Sequence, residues 1–258
     1  MTTTIRKPAA VATAAGALLS VRDLRKARSQ ADARFELHVP DFAVAPGQFV
    51  AIVGDSGCGK STLLDTLALV LRPTSCADFV LGAGHGFPAA DLQDLWALGD
   101  QDGLAAIRRT QLGYVLQTGG LLPFLSVEEN IRLPTRLAGT TADRDEIRAL
   151  ATRIGIADTL SKKPQHLSGG QRQRAAILRA LIHKPRLILA DEPTAAVDKA
   201  RAGAIVADFA ALARDRGTTI VMVTHDRDLV RPFADATYSF TLSQTSQTEI
   251  RSVCHRLS

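Results

Sequence analysis

Long apolar runs are missing from this chain. The longest, "LLDTLALVL" over residues 63–71, is broken by Asp65 and Thr66 and falls short of the roughly 18 apolar residues that cross a bilayer. No membrane span is therefore expected. Cysteine is scarce too. Cys58, Cys76 and Cys254 lie far apart and form no C-x-x-C pair, which argues against a zinc site or disulfide framework and for a reducing cytosol. No repeat of about 20–50 residues and no heptad run occurs, so solenoid and coiled-coil architectures are excluded. Nor is there a dense charge of one sign. Lys and Arg number 31 against 26 Asp and Glu, a net charge of +5. That balance suits anionic ligands without marking a specific nucleic-acid patch.

What is present is a chain of 258 residues with 46% hydrophobic content, enough for one large domain with a core. Residues 1–16, with Arg6 and Lys7 ahead of a weakly apolar Ala-rich stretch, read as a disordered tail rather than a signal peptide. "LLSVRDL" reads as the first strand. "FELHVPDFAVAPGQFVAIVG" holds further strand-like runs around a turn at Pro46 and Gly47. "FVAIVG", "RLILAD" and "TIVMVTH" are continuous β-rich runs, as expected of strands buried on both faces. Helix-like stretches alternate with them, at residues 61–71 before Arg72-Pro73 and at 200–217 with a Gly stop. Buried strands alternating with helices predict an α/β core with a mostly parallel sheet, preceded by an N-terminal antiparallel β portion. The middle differs. "VEENIRLPTRL", "DRDEIRALATRIGI" and the stretch after Gly170 are helical, without buried-strand signal. The expectation is a single domain over 17–258, with its α/β core at 17–117 and 183–258 and an inserted helical subdomain at 118–182. Residues 82–103 are turn-rich and receive no role. The tail "TYSFTLSQTSQTEIRSVCHRL" suggests a terminal hairpin.

Two stretches carry phosphate chemistry. "GDSGCGKST" (Gly54, Asp55, Ser56, Gly57, Cys58, Gly59, Lys60, Ser61, Thr62) matches G-x-x-x-x-G-K-[ST] between a predicted strand and helix, the arrangement of a P-loop NTPase. Glycines let backbone N–H groups converge on phosphate oxygens, and the helix N-terminus adds partial positive charge. Lys60 would reach the β- and γ-phosphates, and Ser61 would offer its hydroxyl to Mg²⁺. "LILADE" then delivers two carboxylates at a strand end. Asp191 would belong to the Mg²⁺ shell, and Glu192 would orient or deprotonate an attacking water. "DEPT" also begins a turn, a reading compatible with the first. A Gly-Gly pair preceded by Ser opens another helix-like run, "HLSGGQRQRAAILRA" at residues 166–180.

These motifs and their order resemble the ATP-binding cassette (ABC) ATPases: the phosphate loop, "YVLQ" ending at Gln117, "LSGGQ", "LILADE", "AAVD" ending at Asp198, and "TH" ending at His225. The resemblance runs over residues 18–238. It implies a cassette that dimerises head to tail, each ATP lying between the phosphate loop of one copy and the signature of the other. Ser168, Gly169, Gly170 and Gln171 would then contact nucleotide in trans, and Asp198 would shape the dimer seam. Gln117 would sense Mg²⁺ and water, and His225 would bond the γ-phosphate. Catalysis would fall to Glu192, His225 and Gln117, and the metal to Ser61, Gln117 and Asp191, with ATP and Mg²⁺ bound.

The resemblance also implies partners: a second copy or a paralogous ATPase subunit, and an integral membrane permease at the inner face of the plasma membrane. No specific nucleic acid is implied. The branch it looks most like includes lipoprotein-release, macrolide-export and cell-division ATPases. A regulatory or scaffold ATPase with weak turnover, or one acting on nucleic acid or ribosomes, is the alternative. The apolar Leu121, Leu122, Phe124 and Leu125 follow Gln117 where the family docks permease helices, or else belong to the subdomain core. The aromatic that the family stacks on adenine is missing near Ala27 and Arg28. Arg28 could stack instead, and Phe35 reads as strand core. Cys58, beside Lys60 and several N–H groups, is expected to have a lowered thiol pKa and to react with maleimide.

Overall fold

The computed structural model describes residues 16–30, 33–195, 197, 199–244, 246 and 248–257. Asp198 and residues 1–15 of the expected tail lie outside them.

The chain opens with a long hairpin, β1 (Leu19–Gln30) and β2 (Ala33–Val44). The turn at Pro46 and Gly47 leads into β3 (Phe49–Val53), whose five residues are all buried. Helix α1 (Lys60–Leu67) follows the phosphate loop. It ends four residues earlier than the sequence suggests. Val70 and Leu71 N–H groups both close onto the Asp65 carbonyl, at 3.0 and 3.1 Å, and Leu69 takes a left-handed φ of 60°. That conformation costs a non-glycine residue about 1–2 kcal/mol. Complete burial of the Leu69 side chain offsets it.

Residues 82–103 do have a role. Around them β4 (Asp78–Leu81), β5 (Ala90–Asp91), α2 (Leu92–Leu98) and α3 (Gln101–Gln111) build a sheet edge and its helical cover. Strand β6 (Leu112–Val115) precedes the helical segment: α4 (Val127–Leu137), α5 (Arg144–Arg153) and α6 (Gly169–Leu181). No strand occurs between Val115 and Leu187. Ser126 and Glu129 form a reciprocal capping box that starts α4, satisfying two otherwise orphaned backbone N–H groups. The chain then returns through β7 (Leu187–Asp191), α7 (Lys199–Asp215), β8 (Thr219–Thr224), α8 (Arg227–Val230) and the terminal hairpin β9 (Ala236–Gln244) and β10 (Glu249–Arg256).

The ten strands form one sheet in the order β5-β4-β1-β2-β10-β9-β3-β8-β7-β6. Strands β9, β3, β8, β7 and β6 run parallel. Strands β5, β4, β1 and β2 are antiparallel neighbours. Strand β10 joins the halves, parallel to β2 and antiparallel to β9. Alternation along the buried strands divides the core in two. Phe49, Ala51, Val53, Ile188, Ala190, Ile220 and Met222 face a cluster with residues of α4, α5, α6 and α7. Val50, Ile52, Leu187, Leu189, Val221 and Val223 face the other, with residues of α1, α2 and α3. At about 25 cal/mol per Å² of apolar surface removed from water, both faces contribute to stability. The result fixes the C-terminal ends of β3 and β7 side by side with β8, the edge where α/β sheets bind ligands.

Candidate nucleotide-binding site

A cavity of about 610 Å³ opens at that edge. Ser56, Gly57, Gly59, Lys60, Ser61, Thr62, Gln117, Asp191 and Glu192 all line it. The phosphate loop bends as its glycines allow, with Gly57 and Gly59 at φ 81° and 105°. A Cβ on Gly59 would also stand 3.0 Å from the Phe35 ring, so both backbone and space call for glycine there. Lys60 is 6% exposed. Its Nζ donates to the Gly54 and Asp55 carbonyls, each at 2.8 Å, and stands 3.7 Å from Glu192 Oε1. Ser61 Oγ donates to Asp191 Oδ1 at 3.2 Å.

Burial pushes the Asp191 carboxyl above its ordinary range, and the charges of Glu192 and Asp65 add to this. The Ser61 hydrogen bond and Lys60 oppose it. Glu192 follows β7 directly and holds φ 39°, a left-handed conformation that costs a residue with a Cβ about 1–3 kcal/mol. Its N–H donates to the Val223 carbonyl at 3.0 Å, which ties the turn to the neighbouring strand. His225, just past β8, places Nδ1 3.2 Å from Glu192 Oε2. One loop, two strand ends and Gln117 thus converge.

The signature residues do not join them. None of Ser168, Gly169, Gly170 or Gln171 lines the cavity. They start the 13-residue helix α6, where Ser168 Oγ accepts from Gln171 N–H at 3.2 Å and Gln171 Oε1 accepts from Ser168 N–H at 2.9 Å. The Gln171 amide oxygen is thereby engaged within its own capping box. The Ser168 hydroxyl keeps its proton available, on an exposed residue.

Two sequence readings need amendment. Cys58 is not electronically activated. Its side chain is buried, and burial raises the thiol pKa more than Lys60 lowers it. The reading weighed nearby charge without the packing above Gly54. Arg28 lies on β1, paired with Phe35. Phe35 is half-buried; it packs on the core and lines the cavity as well. Sequence reasoning also missed Asp65, one turn after Ser61 on α1, whose Oδ1 accepts from the Tyr114 hydroxyl at 2.8 Å. The i, i+4 spacing that puts Asp65 on the Ser61 face was readable. The contact with Tyr114 of β6 was not.

Comparison with known proteins decides the family. A family model described as ABC transporter matches residues 37–195. The chain belongs to the ABC transporter family. This ABC cassette is 37% identical over 215 residues to the ABC transporter ATP-binding protein YknY of Bacillus subtilis (strain 168), covering 82% of the chain and 88% of that protein. It is 39% identical over 219 residues to the macrolide export ATP-binding/permease protein MacB of Syntrophobacter fumaroxidans, covering 81% of the chain but 28% of that protein. The chain thus spans less than a third of that relative's length. Among solved structures, the dimeric bacterial ABC transporter cassette MJ0796 superposes with a TM-score of 0.73 at 31% identity, over 86% of the chain and 93% of its own. A post-hydrolysis state of the same cassette, bound to ADP and Pi, superposes at 0.68 and 30% identity, over 93% and 99%. The ABC cassette described here is accordingly an ATP hydrolase of the ABC type.

Proposed function

We propose that this chain is the nucleotide-binding subunit of a transporter: it pairs with a second copy or a paralogous ATPase subunit and powers a separate membrane permease. One observation carries the reading. The phosphate loop, Gln117, Asp191 and Glu192 share a single cavity, whereas the signature helix start lies outside it. A second cassette would bring its own Ser168, Gly169 and Gly170 to that cavity. The Ser168 hydroxyl, the glycine N–H groups and the positive end of α6 suit the γ-phosphate there.

Within the site, Lys60 and the loop N–H groups bind the phosphates. Glu192 takes a proton from the attacking water, and His225 holds the Glu192 carboxylate and faces the γ-phosphate. Gln117 positions the water and joins the site to the helical segment 118–182, which we treat as a subdomain. Ser61 Oγ and Asp191 Oδ1 at 3.2 Å are hard oxygen donors that fit Mg²⁺. Among the described residues no cluster of three or more His, Cys, Asp or Glu side chains is arranged for a metal, in keeping with a cation that takes few protein ligands and completes its shell with phosphate and water. Bound Mg²⁺ supplies neutralisation of phosphate charge.

The permease reading rests on surface chemistry and on the relatives. Phe124 is 69% exposed, while Leu121 packs partly on the core. Leu112, Leu133, Pro134 and Leu137 line an apolar groove rimmed by Arg108, Arg109 and Arg179, and Arg179 also donates to the Gly119 and Gly120 carbonyls just before Leu121. We assign that groove to a cytoplasmic helix of the permease, which places the chain at the inner face of the plasma membrane. No helix among the described residues is long and apolar enough to cross a membrane. The test is phosphate release by the purified protein and its Glu192→Gln variant, with capture of tagged protein from membranes. Loss of a positioned general base predicts a fall of about 100-fold or more. A multi-span membrane protein should co-purify, and should be lost with Leu137→Asp. Equal turnover in the variant contradicts the catalytic assignment, and capture without any membrane protein contradicts the transport assignment.

A further inference from the structure

Behind Ser61 and Asp191 stands a third carboxylate, Asp65, which does not line the nucleotide cavity. It follows Ser61 by one turn of α1, on the same helix face. Its backbone carbonyl accepts from the Val70 and Leu71 N–H groups at the end of that helix. Its side chain is held as well, since Oδ1 accepts from the Tyr114 hydroxyl at 2.8 Å. Strand register explains the meeting. Tyr114 on β6 is directly opposite Leu189 on β7, and Asp191 comes two residues later. All three therefore lie on the side of the sheet that α1 covers. Tyr114 is a neutral partner, and among the described residues no Lys, Arg or His side chain forms an ion pair with Asp65. Its charge reaches the metal donors instead. Burial raises the Asp191 carboxyl first, and the Glu192 and Asp65 charges add to it. Burial, then Asp65 and Asp191, push the Tyr114 hydroxyl up. Asp65, Asp191 and Glu192 thus share one edge with Lys60, whose Nζ is 3.7 Å from Glu192.

We propose that Asp65 and Tyr114 are positioning residues of the metal site: the Tyr114 hydroxyl fixes the Asp65 carboxylate behind Ser61 and Asp191, and that fixed charge strengthens Mg²⁺ binding with nucleotide while touching neither. The proposal rests on reading Ser61 and Asp191 as the metal shell. Its physical content is a matter of sign. A fixed negative charge attracts a cation and repels a polyphosphate. Asp65 therefore favours nucleotide that arrives with Mg²⁺ over nucleotide that arrives without it. A carboxylate that merely held α1 in place would support both alike.

Binding of the non-hydrolysable β,γ-imido analogue of ATP to the intact protein, by titration calorimetry in Mg²⁺ and in EDTA, tests this without turnover. Wild-type protein should bind the analogue more tightly in Mg²⁺. Asp65→Asn, which keeps an acceptor for the Tyr114 hydroxyl, should lower the ratio of the two affinities by about threefold or more. Its affinity in EDTA should be unchanged or higher, which also shows that the variant is folded. Tyr114→Phe keeps the charge but frees it, so its ratio should fall in the same direction and by less. The proposal is overturned if the Asp65→Asn ratio falls by less than that, or if affinity weakens equally in Mg²⁺ and EDTA. It is overturned equally if Tyr114→Phe leaves the ratio unchanged or lowers it more than Asp65→Asn does. Asp191→Asn separates this from the underlying reading. If that variant keeps the wild-type ratio, or if wild-type affinity is the same in Mg²⁺ and EDTA, the assignment of the metal shell itself is wrong.

Discussion

Asn130 offers a direct test of how the apolar segment after Gln117 is held. It is fully buried on α4, yet its side chain serves the loop before that helix. Its Oδ1 accepts from Leu122 N–H at 2.7 Å. Its Nδ2 donates to the carbonyls of Leu122 at 3.0 Å, Ser126 at 2.9 Å and Leu125 at 3.3 Å. Two amide protons serve three carbonyls, so the longest contact is shared and weak. Three full bonds at about 1 kcal/mol each would give about 3 kcal/mol. Leu122 and Leu125 are half-buried, and water regains part of their bonding in the variant. The Ser126 carbonyl keeps the Asn130 backbone N–H at 2.9 Å. Asn130→Ala should therefore cost about 2–3 kcal/mol in urea unfolding. Asn130→Asp should cost at least as much, since it sets a carboxylate among carbonyls. Nucleotide binding should persist, because Asn130 does not line the cavity. A loss below about 0.5 kcal/mol, the range of an ordinary surface change, would refute the account of the loop.

Lys60→Ala removes a cation placed at the loop carbonyls and Glu192. Charge-assisted bonding to phosphate predicts binding weaker by about tenfold or more, and unchanged affinity by calorimetry would contradict the loop assignment. His183 predicts a pH effect. Its Nε2–H donates to the Leu112 carbonyl at 2.9 Å, Nδ1 is buried without a partner, and burial pushes the pKa below the ordinary imidazole value. The unfolded chain binds this proton more readily, so its contribution is present above the unfolded pKa and is lost as pH falls towards the folded one. Unfolding between pH 7.5 and 5.5 should be less pH-dependent in His183→Gln; parallel curves would contradict this. Buried Cys58 should label slowly with maleimide whether or not nucleotide is bound, and fast labelling blocked by MgATP would show that the thiol is open.

The phosphate loop and the carboxylates were legible because each is one continuous stretch whose local chemistry implies its shape. Gly57 and Gly59 supply the left-handed turns, Lys60 and Ser61 follow at once, and "LILADE" ends a strand whose buried run is itself the signal. The helices at 127–137 and 144–153 were legible from their periodicity, and Ser126 with Glu129 marks a start visible in sequence. The end of α1 was not, because core burial of Leu69 outweighed a helical pattern that continues past Leu67. The cavity end opposite the carboxylates was only half legible: Arg28 and Phe35 drew notice, but Gln244 and Ile250 join them through the register of four strands, and register is set by the whole sheet. Cys58 was misread because burial dominates its pKa and tertiary packing is not visible in the local stretch: Ser252 Oγ on β10, almost two hundred residues away, donates to the Cys58 carbonyl at 2.6 Å.

The composite site is the claim on which the functional account depends, and the association state of Glu192→Gln with ATP tests it most directly. Size-exclusion chromatography with light scattering should show a monomer without nucleotide and a dimer with MgATP, since bound ATP is retained between two cassettes. Adding Ser168→Arg places bulk and charge where the opposing γ-phosphate and phosphate loop meet. That double variant should still bind ATP and remain a monomer. A dimer that persists with Ser168→Arg, or a Glu192→Gln protein that binds ATP and stays monomeric, would contradict a site shared between two cassettes.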